Sequence, residues 1–216
     1  MNKVISFSLW GDNPKYTIGA IKNAELAPFV YAGWEVWFYV ANSVPPDIVS
    51  ELGKKAKVIH RGNGDWDSMV WRFEPISDLS VDVFISRDTD SRLNYRERRA
   101  VDVWLQSNKP LHIMRDHAYH RTAILGGMWG FHGTIDISIN DLYKEFIDHK
   151  GSSNHYDVDQ QFLTKTIWQN FQHNCLVHDE FFSHSAFPTP RECNEYVGAP
   201  YDATNNLEIK FVGNGA

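Results

Sequence analysis

The chain has 216 residues, 43% of them hydrophobic and 22% charged, which excludes disorder, collagen and coiled coil as the main architecture. Lys+Arg number 21 against 27 Asp+Glu, a formal charge of -6; this argues against a nucleic-acid partner or an anionic membrane surface, where phosphate neutralisation supplies most of the affinity. Two cysteines, Cys175 and Cys193, make no disulfide framework, and the apolar stretch at 4–10 is too short for a signal-peptide core or a bilayer span, so the expectation is a cytoplasmic protein of one domain.

In chain order, residues 3–9 read as a strand, followed by the loop residues Gly11-Asp12-Asn13-Pro14. Residues 17–31 carry apolar side chains at helical spacing, with Pro28 bending or ending the helix. A Val- and aromatic-rich run at 35–40 predicts a second strand, and Pro45-Pro46-Asp47 opens a helix through about residue 55. A short strand at 56–60, a helix at 65–74, a strand at 81–86 and a charged helix at 94–108 complete the first half. Strand and helix thus alternate four times, which predicts a mostly parallel sheet with helices on its faces and a ligand site outside the carboxyl ends of its strands. Neither GxGxxG nor GxxxxGK[ST] occurs. The second half is less regular: a strand at 111–114, a Gly-rich passage at 126–130, a helix at 139–149, a loop at 151–154, a helix at 158–171 and a short strand leading to His178. Pro188, Pro190, Gly198 and Pro200 then predict coil until an apolar run at 207–212.

The strand at 81–86 runs directly into Arg87-Asp88-Thr89-Asp90. Residues i and i+2 of extended chain point to the same side, so Asp88 and Asp90 can converge on one cation. Carboxylates suit Mg²⁺ or Mn²⁺. A divalent ion held there can bridge two phosphates and offset the charge that builds on a departing nucleoside diphosphate. The bland reading is a solvated turn, because Asp is favoured in turns and at helix N-caps.

These residues and their order resemble the GT-A class of nucleotide-sugar-dependent glycosyltransferases over roughly residues 3–180. The first strand ends Ser6-Phe7-Ser8-Leu9-Trp10-Gly11, Arg72 lies in a helix before the acidic motif, and Phe84-Ile85-Ser86-Arg87-Asp88-Thr89-Asp90 looks like the DxD strand. Gly126-Gly127-Met128-Trp129-Gly130 resembles a segment facing donor sugar and acceptor, and Asp157-Val158-Asp159-Gln160-Gln161 an acidic helix start that closes the sugar site. The resemblance implies a single α/β domain of GT-A-like, mixed, mostly parallel sheet, with a nucleotide-binding half at about 1–92 and an acceptor half at about 93–216. It implies metal-dependent hexosyl transfer from a nucleoside-diphosphate sugar to a glycan or glycoconjugate hydroxyl, with Mn²⁺ or Mg²⁺. Asp88 and Asp90 would hold the metal, with His178 as first choice and His184 as second choice for a late third ligand. Ser8, Leu9, Trp10, Arg72, Arg87, Thr89 and Gly127 would contact the donor. Asp159, or Asp157 beside it, would be the catalytic carboxylate; for Asp157 the alternative is a helix N-cap.

His112, Asp116, His117 and His120 are closely spaced and support a rival reading, a metal-dependent hydrolase of a phosphate or sugar substrate. In the transferase reading, Arg115, Asp116 and His117 would contact sugar instead. A noncatalytic sugar-binding module would explain the abundance of Trp, Tyr and Phe, but not an acidic pair after a strand. Nucleotidyl transfer lacks its glycine-rich basic opening loop. Arg96, Arg98 and Arg99 read as a solvated helix face.

Overall fold

The computed structural model describes residues 1–151, 157–182, 184–192 and 195–208. Cys193, most of the loop at 151–154 and the end of the run at 207–212 lie outside the described residues.

Among the described residues, seven strands form one sheet: β1 (Lys3–Leu9), β2 (Glu35–Val40), β3 (Lys57–His60), β4 (Val83–Arg87), β5 (Leu111–Arg115), β6 (Met128–His132) and β7 (Cys175–Asp179). Their order is β3-β2-β1-β4-β6-β5-β7. The pairs β1–β2, β1–β4, β2–β3 and β5–β7 are parallel, whereas β6 runs against both β4 and β5. The sheet is therefore mixed and mostly parallel, with the carboxyl ends of the six parallel strands along one edge.

Alternation along the strands divides the core in two. Ile5, Phe7, Leu9, Val83 and Ile85 pack under α1 (Pro14–Val30), α2 (Pro46–Gly53) and α3 (Tyr95–Gln106). Val4, Phe84, Trp129 and Phe131 pack under a 3₁₀ helix (Trp66–Ser77), α4 (Ile139–Lys150) and α5 (Val158–Leu163). α5 continues through a π turn (Thr164–Trp168) into α6 (Gln169–Phe171). Trp104 and Trp129 are fully buried; each removes about 200 Å² from water, worth about 5 kcal/mol of burial.

α1 ends at Val30, two residues after Pro28, close to the end the sequence predicts. Two local features depart from the sequence expectations. The helix expected at 65–74 is 3₁₀, its start fixed by reciprocal bonds in which Asp67 N–H donates to Asp65 Oδ1 (2.9 Å) and Asp65 N–H donates to Ser68 Oγ (2.9 Å). The Gly-rich passage contains strand β6: a Cβ on Gly130 would stand 2.7 Å from the Phe84 carbonyl oxygen and 3.2 Å from the Trp104 ring, so only glycine lets β6 press this closely on β4.

Candidate active site

The site begins where β4 ends. Phe84 faces the core under the 3₁₀ helix and Ile85 faces the α1–α3 side, so the same alternation sends Asp88 toward the 3₁₀ helix and Arg87 away from it. The chain then turns at Asp88-Thr89-Asp90-Ser91. Buried Asn23 of α1 holds this turn, its Nδ2 donating to the Ser91 carbonyl (2.9 Å) and its Oδ1 accepting from Leu93 N–H (3.0 Å). Gly19, one helical turn earlier, lets the turn approach α1: a Cβ there would collide with the Thr89 carbonyl and stand 2.9 Å from the Arg92 guanidinium.

Arg72 joins the parts of the site. Its guanidinium donates to the Asp88 carboxylate and, through Nη2, to Asp159 Oδ2 at 2.9 Å. Ser8 at the end of β1 fixes the backbone beneath it, since Ser8 Oγ accepts from Arg72 N–H at 3.0 Å. Gly126 and Gly127 form the opposite wall. A Cβ on Gly126 would strike Asp159 and Arg72; one on Gly127 would strike the Asp88 carboxylate and lie 2.8 Å from the Asp88 backbone nitrogen. Two missing side chains thus make room for the Asp88–Arg72–Asp159 bridge. Asp90 is held from another side: Lys15 Nζ of α1 lies 3.1 Å from Asp90 Oδ2 and 3.0 Å from Glu208 Oε1.

Negative charge exceeds positive here. Asp88, Asp90, Asp159 and Glu208 face Arg72 and Lys15. Burial, then the neighbouring Asp88 charge, hold the Asp90 carboxyl above its ordinary pKa against the pull of Lys15. Burial also raises Asp159, with Arg72 opposing and Asp88 adding to the shift. Burial works to lower the Arg72 pKa, but Asp88 and Asp159 outweigh it and leave the guanidinium firmly charged.

No protein-family model matches the sequence, and no curated protein matches it. Solved structures do match in shape. A mannosyltransferase from Pyrobaculum calidifontis, in complex with GDP-Man and Mn²⁺, superposes with a TM-score of 0.50 at 10% identity, covering 83% of this chain and 55% of that one. A glucosyl-3-phosphoglycerate synthase from Mycobacterium tuberculosis, with Mn²⁺, UDP-glucose and phosphoglyceric acid, gives 0.51 at 13% identity over 89% and 73%. The fold is of the GT-A type. A 4-diphosphocytidyl-2C-methyl-D-erythritol synthase from Anaerococcus prevotii also gives 0.50, at 9% identity over 87% and 91%. The chain spans about half the length of the mannosyltransferase, and all three likenesses speak to fold alone.

Of the residues singled out in the sequence, Ser8, Arg72, Asp88, Gly127 and Asp159 meet at one point, with Thr89 and Asp90 in the adjoining turn. Leu9 is buried in the α1–α3 core. Trp10 stands at the strand edge against Trp66, ring centroids 6.5 Å apart. Asp157 is exposed just before α5; its side chain makes no N-cap bond and accepts instead from Gln161 Nε2 at 2.8 Å.

The structure does not bring Arg87 or His178 to the acidic pair. Arg87 is buried on the other side of the sheet, where Nε donates to Glu97 (3.1 Å) and Nη1 to the Ser86 carbonyl (2.8 Å). His178 Nδ1 lies 2.8 Å from His112 Nε2, because β5 and β7 pair in parallel with His112 opposite Leu176, putting His178 diagonally across on the same face. The imidazoles of His112 and His178 fill the space between Trp104 and Phe187. The cluster expected from His112, His117 and His120 is thereby split: His117 and His120 pack instead against Tyr196. His184 is exposed. Among the described residues no group of three or more His, Cys, Asp or Glu is arranged to hold a metal ion, and no helix is long and apolar enough to cross a membrane.

Two residues read in the sequence as solvent- or sugar-facing are structural. Asp116 is fully buried; it accepts from Arg96 at 2.8 and 2.9 Å, from Arg191 Nη2 at 3.1 Å and from Val197 N–H at 2.9 Å. Arg96 is accordingly buried rather than part of a solvated helix face. The only sequence signal for this pair was an arginine on the same helix face as buried Ala100.

Proposed function

We propose that the chain is a nucleotide-sugar-dependent glycosyltransferase that binds a divalent cation at Asp88 and Asp90 and transfers a hexosyl group to a glycan or glycoconjugate hydroxyl. One observation carries this reading: the acidic pair follows the carboxyl end of a central strand of a GT-A-type sheet, and its first member, Asp88, is bridged by Arg72 to Asp159, with Gly127 cleared away beside it. The pair suits a hard cation. Its ligand atoms are carboxylate oxygens and the local balance is acidic, with Arg72 on Oδ1 of Asp88 and Lys15 on Oδ2 of Asp90. Mn²⁺ or Mg²⁺ bound there would supply charge neutralisation for the departing nucleoside diphosphate.

The chain's own groups do the rest. Trp10 and Trp66 offer ring faces at the end of β1 for a nucleobase. Arg72 orients Asp88 and Asp159 together, so donor and sugar sites are tied by one guanidinium. Asp159 stands at the reacting sugar, and its upward-held carboxyl brings it closer to the range in which a base accepts an acceptor proton at neutral pH. Nucleotidyl transfer is the second reading, because the cytidylyl-type neighbour is matched over 91% of its length. Against it, only four residues separate β1 from α1, too few for a loop that wraps a triphosphate.

The test is thermal unfolding with UDP, GDP and dTDP, each with and without Mn²⁺, followed by the corresponding sugar nucleotides with glycan acceptors. The expectation is stabilisation by one diphosphate only when Mn²⁺ is present, lost in Asp88→Asn/Asp90→Asn without loss of the fold. A double variant that still gains the full stabilisation would remove the acidic pair from the site. Stabilisation by CTP, with pyrophosphate release, would select nucleotidyl transfer.

A further inference from the structure

Lys15 is not explained by the fold. It lies at the first turn of α1, with three quarters of its side chain buried, and reaches over the acidic turn instead of extending into water. Its ammonium is placed by two carboxylates from distant parts of the chain, Asp90 at 3.1 Å and Glu208 at 3.0 Å. Glu208 comes on a segment that is itself fastened to the acidic turn. Tyr201 N–H donates to the Asp90 carbonyl (2.8 Å), Arg92 donates from Nε and Nη2 to Asn205 Oδ1 (2.9 and 2.8 Å), and the Arg92 guanidinium covers the Tyr201 ring at 4.6 Å. Glu208 N–H closes this segment on the Pro200 carbonyl at 2.9 Å. This segment, fastened to the acidic turn, brings Glu208 to Lys15.

A lysine paired only to neutralise Asp90 would not need Glu208. With Glu208, the ammonium has a second anchor, and it stays over the turn when Asp90 takes another cation. Two positive charges arriving at Asp88 and Asp90 weaken the Lys15–Asp90 attraction by like-charge repulsion, while the Glu208 contact remains. An ammonium carries three donors, and the two carboxylates use two. Any anion attached to a cation on Asp90 comes within reach of a group that already touches the same carboxylate.

We infer that Lys15 is a diphosphate-binding residue of the proposed donor site: it guards Asp90 before the divalent ion binds and then, positioned by Glu208, donates to a phosphate oxygen of the nucleoside diphosphate. This rests on the transferase reading above, and it adds to it a residue from the opening turn of α1.

The experiment measures two affinities by calorimetry on the full chain, Mn²⁺ alone and then UDP or GDP at saturating Mn²⁺, for wild type, Lys15→Gln, Lys15→Arg and Glu208→Gln. Lys15→Gln is expected to bind Mn²⁺ alone more tightly, having lost the competing cation, yet to bind the diphosphate about tenfold or more weakly, the loss of one charge-assisted hydrogen bond. Uridine or guanosine, which lack phosphates, should bind both proteins equally. Lys15→Arg should recover most of the diphosphate affinity, and Glu208→Gln should lie between, with its fold unchanged by circular dichroism. Equal diphosphate affinity in wild type and Lys15→Gln, or weaker Mn²⁺ binding in Lys15→Gln, would overturn the inference while leaving the transferase reading intact. A wild-type chain that binds no nucleoside diphosphate with Mn²⁺ would overturn both.

Discussion

Replacing Arg72 with methionine tests whether the site is tied together as described. The substitution keeps the length of the apolar stem but removes the guanidinium between Asp88 and Asp159. The Asp88 half costs little, because that carboxylate is 43% exposed and water can replace the arginine. The Asp159 half is expensive: its side chain is 4% exposed, and stripping one partner from a buried pair costs about 3–5 kcal/mol. For a chain of this size each kcal/mol moves the midpoint by about 2–4 °C, so Tm should fall by about 6–20 °C. The loss should depend on pH. Burial already raises the Asp159 pKa, and removing Arg72 raises it further. The folded protein then holds a proton that the unfolded chain releases, so stability falls as pH rises from the unfolded value of about 4 through the folded one. Scanning calorimetry at pH 5 and pH 8 should therefore find the larger destabilisation at pH 8, and adding Asp159→Asn should restore part of it. A loss under about 1 kcal/mol, or one equal at both pH values, would refute the bridge.

Three further outcomes follow from the same geometry. Gly127→Ala places a methyl 2.8 Å from the Asp88 backbone nitrogen, so Mn²⁺-dependent nucleotide binding should disappear in titration calorimetry while the protein stays folded; undiminished binding would mean that this wall is not part of the site. Glu97→Gln leaves the Arg87 guanidinium buried with its anionic partner gone, and urea unfolding should show a loss of about 3–5 kcal/mol with diphosphate affinity unchanged; a fall in affinity would return Arg87 to the donor site. The imidazoles of His178 and His120 are held down to about 4, mainly by burial, so the unfolded chain takes up protons that the folded one refuses and stability should drop as pH falls from about 6.5 toward 4. Replacing His178 with leucine should flatten part of that slope in denaturation curves between pH 4.5 and 7; an unaltered slope would rule His178 out as a source.

The alternation of strand and helix was legible because buried parallel strands read as apolar runs: β1 and β2 start and end where their sequences predict. β6 was hidden by its own role, since a strand squeezed between β4 and β5 needs Gly130 and so lacks the usual β-branched signature. Strand alternation read from the sequence places Asp88 toward the 3₁₀ helix and Arg87 on the opposite side, but it does not carry through to Asp90, because β4 ends at Arg87 and the chain turns after Asp88. Arg72 appeared in the sequence only as a residue of a preceding helix; that one guanidinium spans Asp88 and Asp159 depends on the 3₁₀ helix lying beside β4. The His112–His178 pair and the Asp116 hub depend on strand register and on a segment 75 or more positions away, which no local pattern encodes.

The reversed direction of β6 has a consequence for how the chain is made. In the folded sheet β1 to β4 form a parallel ladder whose outer member is β4, and the strand that pairs with its other edge, β6, comes later in the sequence. Its partner is synthesised only after the next 45 or so positions, from 88 to 132. At about 5–20 residues per second that interval is roughly 2–9 s. During that interval an edge of Val83, Phe84 and Ile85 lacks the partner that covers it in the folded sheet.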